Sequence, residues 1–182
     1  GKPPQVKLLR SKARIPYNGF MAGYAVPDIM REVMAANTTI IFVNTRAQAE
    51  LLFQLLWEAN SDALPIGLFH GSLTKEKRLK TIELMATGKL RAIVATSALE
   101  LGIDWGDVDV VIQVGAPKGV SRLLQRIGRS NHKVDTPSKA WLVPANRFEL
   151  LECRAAIDAI ANQQLDDEAP GRGADDVVIQ FI

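Results

Sequence analysis

The sequence predicts an α/β fold in which a mostly parallel sheet is covered by helices on both faces, three layers deep. Strand-like and helix-like segments alternate between residues 38 and 162, the pattern of βαβ units. The segment TTIIFV at 38–43 is β-branched and apolar without alternation, as a strand buried on both faces must be. The loops that leave the strands are short and rich in Gly, Asn, Ser and Thr, which suits tight strand-to-helix connections.

The elements follow in order. VKLL near the start is the best candidate for an edge strand, and VPDIMREVMAAN at 26–37 reads as a helix. After the strand 38–43, NTRAQAELLFQLLWEAN reads as a helix opened by a Thr45/Gln48 capping box. Ala49, Leu52, Leu56 and Ala59 form its apolar stripe at helical spacing. PIGLFH at 65–70 is a strand, and TKEKRLKTIELMATG a helix with Leu79, Ile82, Met85 and Ala86 inward and Gly88 as C-cap. LRAIVAT at 90–96 and VDVVIQVG at 108–115 are strands. A helix is expected at about 121–131, a strand at 139–144 and a helix at 146–162. Trp57 and Trp141 are assigned to the core.

At 182 residues, the chain suits one domain with a sizeable core and a short appendage. Its 47% hydrophobic and 23% charged residues are ordinary for a globular protein. No apolar run approaches the length of a membrane span, and the N-terminus lacks the pattern of a secretory signal. The single cysteine, Cys153, excludes an internal disulfide and a multi-cysteine zinc site. A cytoplasmic protein is expected.

The net charge of +2 is modest, but its distribution is not even. Residues 1–15 carry Lys2, Lys7, Arg10, Lys12 and Arg14 without an acid. Residues 117–133 carry Lys118, Arg122, Arg126, Arg129 and Lys133, again without an acid. Such patches suit a polyanionic partner.

Ligands of parallel sheets bind beyond the carboxyl ends of the strands. The loops there read NTR (44–46), HGS (70–72), TSALELGIDWG (96–106) and GAPKG (115–119). Small and polar residues let backbone amides approach a phosphate. On the helix after them, Arg122, Gln125, Arg129 and His132 share one face at 100° per residue, opposite Leu123 and Ile127, with Arg126 and Lys133 flanking it. That face is an anion site. No HExxH, GxSxG or CxxC pattern occurs, and no GxxxxGK[ST] phosphate loop. No metal site is expected in this chain, and it binds no nucleoside triphosphate in the P-loop manner by itself.

TIIFVNTR, LFHGS, IVATSALELGIDWGDVDVVIQVGAPK and LLQRIGRSNHK, in this order and spacing, resemble motifs IV, IVa, V and VI of the second RecA-like domain of superfamily 2 helicases. LGIDWGDVD, GAPKG, QRIGRSNH and LVPANRFELLECRAA look like the large helicase-related (Lhr) group, and most like its bacterial ligase-associated DEXH-box branch. The resemblance covers residues 6–163. It implies a RecA-like domain at 25–163, preceded by a connector at 1–24. A linker at 164–182 would follow, its DDVVIQFI being the truncated start of a winged-helix domain in a fragment of a longer protein.

The resemblance implies an ATP-dependent translocase on single-stranded DNA that acts in repair and is located in the bacterial cytoplasm at the nucleoid. The fragment alone would be inactive. Its cofactor would be ATP with Mg2+, the metal and most phosphate contacts coming from the first RecA-like domain of the same parent. That domain and DNA are the expected partners, together with an ATP-dependent DNA ligase and a nuclease. Residue by residue, Asn44, Thr45, Arg46, His70, Gly71, Ser72, Thr96 and Ser97 match DNA-binding positions. Gly102, Asp104, Gln125, Arg126, Arg129 and His132 match the nucleotide side. Arg129, with Gln125, is the expected catalytic residue, an arginine finger on the transferred phosphoryl group. Arg126 is expected to brace the domain interface, and Trp105 is a candidate for stacking a base. The alternatives are a nucleic-acid-binding module without turnover, an RNA- or hybrid-directed helicase half, and a self-sufficient α/β hydrolase.

Overall fold

A computed structural model describes residues 3–19, 22–96, 106–129 and 137–168 of the chain, with side chains as far as residue 163. Six strands are assigned: β1 (Gln5–Leu8), β2 (Thr39–Phe42), β3 (Ile66–Phe69), β4 (Ala92–Ala95), β5 (Val110–Val114) and β6 (Lys139–Val143). The α-helices among the described residues are α1 (Val26–Ala35), α2 (Arg46–Ala59), α3 (Lys75–Ala86), α4 (Val120–Ile127) and α5 (Arg147–Glu168). The strands form one sheet in the order β1-β6-β5-β2-β4-β3, and every neighbouring pair is parallel. The expected edge strand is therefore present as β1.

Each strand feeds one side of the sheet with alternate residues. Ile41, Val43, Val94 and Ile112 pack against α1 and α2. Ile40, Phe42, Ile93 and Val111 pack against α4 and α5 through Leu123, Ile127, Cys153 and Ile160. This explains the unalternated apolar runs: both faces of β2, β4 and β5 are buried. Burial pushes the Cys153 thiol up to about 12, with Glu149 and Glu152 adding to the shift.

Thr45 caps α2 through the predicted capping box with Gln48, and Gly88 follows α3 in the left-handed region at φ +71°. Several packing expectations are corrected. The stripe of α2 ends at Leu56, and Ala59 is exposed. Trp57 is 61% exposed, resting beside Phe53, because it follows the buried Leu56 by one residue and so points about 100° away from it. On α3 only Met85 is fully buried; Leu79 and Ala86 are exposed. The sheet ends at β3, so α3 covers an edge and has less to pack against. Trp141 is partly buried and packs on the α1/α2 core. Helix α4 stops at Ile127 rather than continuing through 129, with Gly128 as its C-cap. Helix α5 continues to Glu168, beyond the expected end at 162.

Candidate functional site

The parallel sheet brings the loops after β2, β3, β4 and β5 to its carboxyl edge. The first two are joined directly: Arg46 donates from Nη1 to Ser72 Oγ. Beneath them His70 is buried, unlike its exposed loop neighbours. Its Nδ1 accepts from Ser72 N–H at 3.2 Å, which leaves Nε2 to donate to Glu50 Oε1 at 3.1 Å. His70 thus shapes the loop from below. At Gly71 an added Cβ would meet nothing within 4 Å. The fold itself does not require glycine there, and the open space suits a ligand that comes close to the backbone. Thr96 is buried at the end of β4, and its N–H donates to Phe69 O at 3.2 Å.

A second network lies between β2, β5 and α4. Gln113, in the middle of β5, is 1% exposed. Its Nε2 donates to Asn44 Oδ1 at 3.3 Å and to Val114 O at 3.1 Å. Its Oε1 accepts from Arg126 Nη1. The guanidinium of Arg126 is 2% exposed and lies 4.8 Å from the centroid of the Phe42 ring. At 100° per residue Arg126 falls about 60° from Leu123 and about 40° from Arg122, on the boundary between the two faces. The structure turns it inward. It braces the inside of this domain, where the sequence places it flanking an open face, among the nucleotide contacts and bracing the domain interface. Asn44 in turn donates from Nδ2 to Ala116 O at 2.8 Å.

Glu149 closes the same edge from α5. Its Oε2 accepts from Ala116 N–H at 2.9 Å and Ala145 N–H at 3.1 Å. Gly115 stands between these groups at φ +88°; a Cβ there would lie 3.2 Å from Asn44 Nδ2 and 3.7 Å from Glu149 Oε2. The first glycine of GAPKG is thus required by both conformation and space.

Gln125 is exposed on α4, and Arg129 is half-buried just past its end, with its N–H donating to Arg126 O at 3.1 Å. The candidates Ser97, Gly102, Asp104, Trp105 and His132 lie outside the described residues. Gln113, Glu149 and Glu50 escaped the sequence reading. Gln113 left a signal, a single amide inside a strand otherwise apolar on both faces, which has to find partners. So did Glu149, three residues after Asn146, whose Oδ1 accepts the Glu149 N–H at 3.0 Å. Glu50 has the ordinary look of an exposed helical residue.

Residues 25–132 match the family described as Helicase conserved C-terminal domain. The ATP-dependent helicase Lhr-Core of Methanothermobacter thermautotrophicus is 38% identical over 165 residues, covering 88% of this chain and 19% of the relative. The Lhr helicase/uracil glycosylase of Escherichia coli is 34% identical over 187 residues, covering 86% and 12%. Among solved structures, Mycobacterium smegmatis helicase Lhr bound to ssDNA and AMP-PNP superposes with a TM-score of 0.76 at 36% identity, over 88% of this chain and 22% of that one. The chain thus spans about a fifth or less of the length of these proteins.

Proposed function

The chain belongs to the helicase conserved C-terminal domain family, in its Lhr group, and from that premise we propose that it is the second motor domain of a parent protein that couples ATP hydrolysis to movement on single-stranded DNA. The observation that carries this reading is the joined surface of the first two loops. Arg46 is tied to Ser72 beside the open Gly71, so one cation, a hydroxyl and a glycine that a ligand can approach closely sit together at the edge. That combination suits a phosphate backbone and carries no sequence preference. Asn44, Thr45, Thr96 and Ser97 extend the grip, and His70 supports it from beneath.

The nucleotide side rests on α4. Because Arg126 and Gln113 are bonded inside the domain, the helix that presents Gln125 and Arg129 has a fixed seat. Arg129 would meet the terminal phosphate of ATP, and Gly102, Asp104 and His132 would complete the contact. Among the described residues, no cluster of three or more His, Cys, Asp or Glu side chains gathers. As the resemblance to this family implies, Mg2+ would be held by the triphosphate and by the preceding domain, which would also bring the phosphate loop. Bound there, ATP supplies the phosphoryl group that water accepts. Arg129 stabilises the charge that develops on it, and a contact of this kind is worth on the order of 10³ in rate. A cytoplasmic, nucleoid-associated site of action, a role in repair, the ligase-associated branch and a ligase and nuclease as partners belong to the same proposal.

The test is ATP hydrolysis by the parent protein, stimulated by single-stranded DNA, in wild type and Arg129→Ala. Stimulated turnover should fall about 10³-fold, with DNA affinity within about twofold of wild type. Unchanged turnover would remove Arg129 from the reaction and make the segment around α4 structural or DNA-facing.

A further inference from the structure

The basic N-terminal run has no part in the site above. It leaves β1 at the carboxyl edge and crosses the start of α5 as a strap. Arg147 N–H donates to Pro16 O at 3.0 Å, Arg147 Nε to Ile15 O at 3.3 Å, and Asn146 Nδ2 to Gly19 O at 2.7 Å. These bonds join parts of the chain more than 120 residues apart, so the strap has a defined course. On it Tyr17 is 67% exposed, and Phe148 of α5 is 62% exposed. The two rings meet edge to face at 5.6 Å, and the Arg147 guanidinium lies 5.9 Å from the Tyr17 ring centroid. Arg10, Lys12 and Arg14, just before them, are all exposed.

Two large aromatic rings held open to water beside several cations are unfavourable for a domain on its own. Each ring braces the other, so a flat π-face is presented at little cost in side-chain freedom. Such a face, with cations along a short path next to it, suits successive bases and phosphates of an unpaired strand. A lone nucleotide would need the ring but not the row of cations. We propose that this strap is a second contact for single-stranded DNA, in which a base stacks on the Tyr17–Phe148 pair while Arg147, Arg10, Lys12 and Arg14 meet the adjoining phosphates. From β6 the loops after β2 and β3, which carry Arg46 and Ser72, stand two and four strand spacings away, about 10 Å and about 19 Å. A strand held on the Arg46–Ser72 surface therefore reaches the strap along the same edge. The inference rests on the single-strand part of the reading above.

The experiment measures binding of a fluorescent oligo-dT strand to the full-length parent protein. Tyr17→Ala with Phe148→Ala should weaken binding about 5- to 150-fold, and both rings are exposed, so the protein should still fold. Wild type should lose the same factor on an oligonucleotide with abasic sites, and the double variant should not. Lys12→Gln with Arg14→Gln should lower the slope of log affinity against log salt by about 1.4. The KM for ATP should stay put. Wild-type affinity in the double alanine variant overturns the proposal. So does a raised KM for ATP at unchanged DNA affinity, which would make the rings a contact for adenine or for another domain. The motor reading fails separately. If wild type shows no DNA-stimulated hydrolysis while the affinities shift as expected, the strap stands and the motor does not.

Discussion

The two edges of this sheet are built from the same strands and differ in every property that matters to a polyanion. At the carboxyl edge helices α2, α3 and α4 begin, so their positive dipole ends lie near Arg46 at the start of α2 and Lys118 just before α4. At the amino edge α1 and α3 end, around a cavity of about 800 Å³ whose lining includes Glu32, Asp107 and Asp109. The charge of Arg91 is engaged there by the last carbonyls of α1, Met34 O and Ala36 O, each at 2.9 Å. The hollow at the amino edge thus has the wrong sign for phosphate, and strand direction marks the other edge as the one proposed to meet it. Ligand sites of parallel sheets follow the same logic.

Breaking the Arg126–Gln113 pair should have the largest effect on stability. Arg126→Ala strands the Gln113 Oε1 in the interior and empties the space over Phe42. A loss of about 3 kcal/mol is expected, seen as a melting temperature lower by about 6–12 °C. A variant as stable as wild type that has lost only ATP turnover would instead place Arg126 among the phosphate contacts. Gly115→Ala is expected to cost about 2 kcal/mol in urea denaturation, because it combines a left-handed φ with crowding against Asn44 and Glu149. It should also weaken DNA-stimulated turnover through displacement of Asn44.

A smaller effect separates this edge from the start of α1. Burial raises the Asp28 carboxyl, but hydrogen bonds from the Ser11 hydroxyl and the Arg31 guanidinium outweigh it and hold the group below the usual carboxylate value. A lowered value means that the folded state favours the carboxylate. The stabilisation is therefore present above the ordinary carboxylate range and disappears as pH falls through it and below. Arg31 is half exposed, its Asp28 contact being 2.7 Å, so less than about 1 kcal/mol is expected. Comparing urea midpoints at pH 7 and pH 3 in wild type and Asp28→Asn checks it: the variant should lose less stability on acidification.

Most of the fold was legible because periodicity and turn residues are local. β2, the Thr45 cap and the Gly88 stop could be read from a few residues each. What was not legible depends on partners far along the chain. Trp57 and Leu79 lie near apolar stripes whose width is set by how much sheet each helix covers. Arg126 sits on a face boundary, and partners on other elements, Gln113 and Phe42 among them, decide which way it turns. In the candidate site, the loops were found from their residue types, but the bonds that join them, Arg46 to Ser72 and Glu149 to Ala116, span 26 and 33 positions. No spacing rule reaches that far.

The smallest expected effect is the sharpest check on the comparison of the edges. Glu32→Gln with Asp107→Asn removes two negative charges beside the amino-edge cavity and raises the net charge by two. If affinity for single-stranded DNA followed overall charge or concavity, this variant would bind more tightly. If it follows the geometry of the carboxyl edge, the dissociation constant at 0.15 M salt should stay within about twofold, since the Debye length there is about 8 Å and the opposite end of a four-residue strand lies beyond it. Arg46→Ala, which removes one charge from the other edge, should weaken binding by more than that. A tighter complex from the amino-edge variant would show that the strand path runs past the cavity, and the reading of the two edges would have to be reversed.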